Sequence, residues 1–228
     1  MKKFHKNKTF TLILTCLLIS GFEVFADFNF QTELTKQELE SLNKSPLIKT
    51  YETEHSWPDV VLYQLIEATA LESVAIFYAL DYQNQYIPNL KVSQVIKTVS
   101  PTIVHTRYVM GMPWPLSDTE YIHASELSHK KPSSYKVKWW MVQSSSTDKV
   151  EGYAIFIPYK GKTLMKYFAH VQPKSFLATL VKNKMVKDVE SSLVATRKAI
   201  EETKAKRLDL MKKYVSYIDQ ALLGKKVY

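Results

Sequence analysis

Hydrophobic residues follow three different periods along this chain. In "LTKQELESLNKS", Leu34, Leu39 and Leu42 stand among helix formers, and Ser45-Pro46 stops the pattern. This reads as a helical lead-in over residues 27–45. "WPDVVLYQLIEAT" is a β-branched and aromatic run and reads as a strand. "ALESVAIFYALDYQ" brings Val74, Phe77 and Tyr78 together at helical spacing and reads as a short helix. Six strand-like runs then follow, each bounded by turn residues: "KVSQVIKTVS", "TIVHTRYVM", "TEYIHASEL", "SYKVKWWMVQS", "VEGYAIFIPY" and "KTLMKYFAHV". Their links are too short for parallel crossovers, so the pattern predicts an antiparallel meander.

After Pro173 the period becomes helical. No glycine or proline occurs between Lys174 and Leu223. The apolar stripe runs Leu177, Leu180, Val181, Met185, Val189, Leu193 and Ile200. It breaks at "EETKAKR" and resumes at Leu208, Met211, Val215, Ile218 and Leu222. The first half should pack on the sheet; the second either continues past it or folds back as a separate helix. The order of elements is that of an α+β protein with a curved antiparallel sheet wrapped around a long C-terminal helix. Such a layout often leaves an apolar hollow between sheet and helix.

The N-terminus changes the picture of where the protein acts. "MKKFHKNK" is basic, "TFTLILTCLLISGF" is apolar, and Val24 and Ala26 are small residues before Asp27. This describes a secretory signal peptide over residues 1–26, with an uncleaved anchor as the alternative. Cys16 lies within the apolar run, behind an unsuitable Thr15, so lipidation is not expected. Cleavage removes that single cysteine, so the mature chain would hold no disulfide. It also takes away four lysines and one glutamate, and the net charge falls from +9 to +6. Residues 174–228 alone carry 13 Lys+Arg against 6 Asp+Glu. Their basic extension, residues 203–228, is either a solvated face or a transient contact for anionic membrane surfaces. An exported protein rarely meets nucleic acid, and none is expected as a partner.

One connector carries more information than its length suggests. "MPWPLSDTEYI" looks like the P-W-P-[LF]-S-x-R-D-[FY]-V pattern of START domains, the steroidogenic-acute-regulatory-protein-related lipid-transfer family. "LKVSQVIKTVSPTIVHTRYVM" resembles the two strands before that motif. "YAIFIPYKGKTLMKYFAHVQP" resembles the family's hairpin after it, and "SFLATLVKNKMVKDVESSLVATRKAI" its closing helix. The resemblance covers roughly residues 46–202 and is that of an exported bacterial member. It implies a helix-grip (START/Bet v1-like) fold enclosing a tunnel for one lipid or sterol. This chain departs from the motif at Thr119-Glu120, where the family has Arg-Asp.

Candidate site residues follow from strand alternation. Tyr135, Val137, Trp139 and Met141 share one face of their strand, while Lys136 and Lys138 take the other. The lysine-free face should point inward, toward an ordinary packed core or a cavity. Tyr121, Phe156 and Phe168 are expected companions, and Leu177, Leu180, Val181 and Met185 the covering helix face. Trp114, Pro115 and Leu116 would form an entrance loop. Arg107 stands mid-strand and either points to solvent or pairs inside with Glu126 to meet a ligand's polar end. His105 and His123 are possible cross-strand neighbours, but no metal-binding spacing accompanies them, and no metal or cofactor is expected. No nucleophile elbow or glycine-rich phosphate loop occurs.

These features point to a non-enzymatic protein that binds a hydrophobic ligand and carries it in the periplasm or outside the cell. Two alternatives stay open. A cyclase or hydrolase of the same fold would need His105, His123 and Glu126 to converge inside. An interaction module would have a filled interior and use its last helix.

Overall fold

The computed structural model describes residues 29–228 except 56, 113, 115–116, 131–132 and 175–179. The expected signal peptide, together with Pro115, Leu116 and Leu177, lies outside the described residues. By its contacts the chain divides into residues Met1–Thr35 and Lys36–Tyr228. The first unit contains the single-turn helix α1 (Phe30–Glu33), capped by the Asn29 side chain.

The second unit begins with α2 (Lys36–Ser41) and builds one eight-stranded antiparallel sheet. Its strands are β1 (Leu47–Tyr51), β2 (Asp59–Ile66), β3 (Leu90–Thr98), β4 (Ile103–Met110), β5 (Thr119–Lys130), β6 (Ser134–Ser144), β7 (Thr147–Tyr159) and β8 (Lys162–Pro173). The spatial order is β1-β2-β8-β7-β6-β5-β4-β3. The meander from β3 to β8 therefore matches the run of strands expected from sequence. β1 was hidden behind Ser45-Pro46: "LIKTY" is too short to show a period of its own, and it forms because Leu47–Tyr51 pair with Asp59–Tyr63.

Local chemistry fixes the ends of these elements. Helix α3 (Ala70–Phe77) starts with a capping box, in which Glu72 N–H donates to Thr69 Oγ1 and Thr69 N–H donates to the Glu72 carboxylate. The β7–β8 hairpin turns through Lys160 and Gly161, both at positive φ, as a two-residue loop between twisted strands requires.

The C-terminal helical pattern resolves into two helices, α4 (Lys182–Lys206) and α5 (Leu208–Leu222). The chain breaks at Arg207, whose φ of −135° and ψ of 57° leave the helical region. α5 thus folds back. It buries Met211, Tyr214, Ile218 and Ala221, and it packs on α3. α4 is tied to the sheet edge by buried Gln64, whose amide donates to the Leu193 carbonyl at 3.1 Å. Lys204 reaches the Glu67 carbonyl and the Glu72 carboxylate. Among the described residues, no helix is long and apolar enough to cross a membrane.

Tyr228 closes the fold. Its hydroxyl donates to the Tyr78 carbonyl at 2.8 Å and accepts from Leu80 N–H at 3.2 Å. Its ring packs on Tyr78 and Tyr217. Tyr228→Phe keeps the ring but leaves two backbone groups unpaired. It is expected to cost about 1–3 kcal/mol in urea unfolding, with no change of fold by circular dichroism.

Candidate functional site

The inner face of the sheet is built in rows. One row reads Val60, Ala169, Gly152, Trp139 and Ser125 across β2, β8, β7, β6 and β5. The next reads Leu62, Tyr167, Ala154, Val137 and Leu127. Each row sets a large ring among small residues, so the sheet cannot fill its own concavity. The Trp139 indole lies over Gly152, where a Cβ would come within 2.4 Å of it, and its ring centroid is 5.1 Å from that of Tyr167.

What remains is a cavity of about 590 Å³ between the sheet, α3 and α4. It lies wholly within the second unit. Met185, Val189, Leu193 and Thr196 of α4 cover it, Phe77 of α3 contributes, and Gly111, Met112, Ser117 and Asp118 line it from the connector between β4 and β5. Its size and mainly apolar lining are those of small-molecule sites.

The polar part of the lining is uncharged. His123 has its ring 4.6 Å from Tyr121 and 5.7 Å from Tyr108. Its Nε2 is buried and has no hydrogen-bond partner among the described residues. Burial pushes its pKa down to about 4, so the imidazole is neutral. Burial likewise pushes the Tyr121 phenol up to about 12. It raises Tyr108 and Tyr167 further, Tyr121 adding to both. The charged side chains among the described lining residues already have partners: Asp118 with Lys91, Lys182 with Glu52 and Asp188 with Lys184. No group of three or more His, Cys, Asp or Glu among the described residues is placed to hold a metal ion.

Of the residues singled out from sequence, Tyr121, Val137, Trp139 and Met185 line the cavity. Phe156 is instead fully buried in the core, 5.2 Å from the Phe77 ring. Tyr135 packs half-buried at the edge of that core. Met141 shares the face of Trp139 but lies beyond the cavity, where its sulfur accepts from the Thr147 hydroxyl. Phe168 points the other way and stacks on Tyr153. Phe156 pairs with Met165, which turns Met165, Tyr167 and Ala169 inward and Phe168 outward.

Arg107 and Glu126 are also outside. Arg107 pairs with Ile122 in register and donates to both carboxylate oxygens of Glu120, at 2.8 and 2.7 Å. Glu126 stands opposite Ile103 and Lys138. The register places His123 opposite Thr106 and His105 opposite Ala124, so the two histidines occupy opposite faces. Leu180 is 72% exposed and Val181 caps α4; neither lines the cavity. Trp114 is 91% exposed, although residues on both sides of its connector reach the cavity wall.

Sequence reasoning missed Tyr108, His123, Tyr167 and Gly152 as parts of the wall. The available signal lay in β4: a charge at Arg107 and an aromatic ring at Tyr108 occupy opposite faces, and choosing the aromatic phase for the interior would have found Tyr108.

No protein-family model matches the chain, and no curated protein matches it significantly. Solved structures do. A STAR-related lipid transfer protein from Xanthomonas axonopodis superposes with a TM-score of 0.62 at 15% identity, over 69% of this chain and 94% of that one. Human STARD10 gives 0.63 at 11% identity, over 83% and 89%. The aromatase/cyclase Zhui from Streptomyces sp. R1128 gives 0.54 at 7% identity, over 64% and 94%. At these identities the likeness is one of fold.

Proposed function

We propose that this chain, which has the helix-grip fold of START-type lipid-transfer domains, is a carrier of a hydrophobic small molecule. The carrying observation is the enclosed, mainly apolar cavity of about 590 Å³ between the sheet and α4. Enclosing a ligand's apolar surface there contributes about 25 cal/mol per Å² removed from water. A filled interior, as an interaction module would have, does not fit this space.

The proposed setting is the cell envelope, on the strength of the N-terminal sequence pattern. The excess of lysine and arginine over residues 174–228 supports transient docking to anionic membranes. A cyclase reading draws on His123 beside Tyr108, Tyr121 and Tyr167 and on the fold shared with Zhui. It is disfavoured because His105 and Glu126 do not join His123 inside.

Native mass spectrometry of the purified protein, followed by solvent extraction, tests the carrier reading. A co-purified lipid or uptake of the neutral fluorescent probe N-phenyl-1-naphthylamine is expected. Ser192→Trp, which directs an indole from α4 into the cavity, should reduce probe binding about tenfold or more while the protein stays folded. Absence of any ligand and any uptake would remove the reading. Recovery of a chemically altered ligand after incubation would favour the enzyme.

A further inference from the structure

The cavity's one unsatisfied polar contact points to the chemistry of its ligand. His123 stands in a wall otherwise made of apolar groups and phenols, and its buried Nε2 has no protein partner among the described residues. A buried polar atom without a hydrogen bond costs free energy, and native proteins normally satisfy it with protein, water or ligand. We infer that the ligand carries an uncharged hydroxyl, an alcohol or phenol on an apolar body, and that this hydroxyl hydrogen-bonds to His123. The inference rests on the carrier reading above and adds the head group to it.

Three physical points select a hydroxyl. A neutral imidazole donates from one ring nitrogen and accepts at the other. A hydroxyl both donates and accepts, so it satisfies Nε2 in either tautomer, whereas a carbonyl or carboxylate can only accept. A carboxylate would also bring a buried charge into a wall whose described charged members, Asp118, Lys182 and Asp188, are already paired. The surroundings of His123 agree. Tyr108 and Tyr121 pack on its ring, and Tyr167 lines the same cavity, so its neighbours are phenols rather than ions.

Dodecanol, dodecanoate and dodecane share one body and differ only in the head. Each is titrated near neutral pH against bound N-phenyl-1-naphthylamine. Dodecanol is expected to displace the probe at about tenfold lower concentration than dodecanoate. His123→Phe keeps the ring volume and removes the hydrogen bond. It should weaken dodecanol about fivefold or more while leaving dodecane and the probe unchanged, and His123→Gln should restore part of the loss. If dodecanol and dodecanoate bind equally, or if His123→Phe weakens all three alike, the hydroxyl assignment is overturned and the carrier reading stands. If neither the probe nor any of the three binds the wild-type protein, the carrier reading itself fails and the inference with it. Should His123→Phe not fold, the wild-type alcohol-to-carboxylate ratio and His123→Gln decide the question.

Discussion

Gly152→Ala is expected to lower the melting temperature by several degrees and to weaken probe binding in the cavity. An added Cβ at this position would lie 2.4 Å from both the Phe168 carbonyl oxygen and the Trp139 indole. The carbonyl belongs to β8, whose residues on either side are held in the β7–β8 ladder, so it cannot retreat without loss of pairing. The indole can move only by leaving the wall and entering the cavity. Overpacking of this kind costs about 1–3 kcal/mol, and the backbone contact places this site at the upper end. For a chain of this size each kcal/mol corresponds to roughly 2–4 °C. Adding Trp139→Leu should recover part of the loss, because it relieves the indole contact and leaves the carbonyl contact in place. A thermal melt of Gly152→Ala indistinguishable from wild type would show that the row across β6, β7 and β8 is not packed as described.

The second large effect is on acid stability. His123 has a folded-state pKa of about 4 against an ordinary value of 6.5, with burial as the cause. The folded state therefore binds this proton less readily than the unfolded chain. The neutral imidazole is compatible with folding above pH 6.5, and stability falls as the pH drops from about 6.5 toward about 4. The loss amounts to about 3 kcal/mol at most, at 1.36 kcal/mol per pKa unit. The carboxylates of Glu72 and Glu120, whose pKa values are lowered from 4.5, lose their contribution only when the pH falls below that value. The range between pH 6.5 and 4.5 thus isolates the histidine. Urea midpoints measured across it should decline for the wild-type protein and stay nearly flat for His123→Phe. Equal slopes would place the titrating group elsewhere.

These two sites differ in how they relate to the sequence. Gly152 is one of five glycines and sits inside "VEGYAIFIPY", an interior strand position where glycine usually marks a close approach. What approaches is set by the partner strand. His123 is flanked by Ile122 and Ala124 and has no companion at metal-binding spacing, so the sequence alone favours a bland surface histidine. Its isolation among phenols arises only when β4 and β5 pair Tyr108 with Tyr121 and Thr106 with His123.

The sequence by itself determined the α+β class, the meander from β3 to β8, the short helix before it and the helical C-terminal region. These rest on period and turn chemistry, which are properties of neighbouring residues. It also determined the inner face of β6, because Lys136 and Lys138 cannot share a face with a buried Trp139. Only the tertiary structure decided the rest. It turned Phe168 outward, gave Arg107 to Glu120, bent the chain at Arg207 to lay α5 on α3, and set Trp139 over Gly152. Each depends on register or docking between segments far apart in the chain. A slip of one residue in register exchanges the two faces of a strand, so local alternation names two possible walls and long-range pairing selects one.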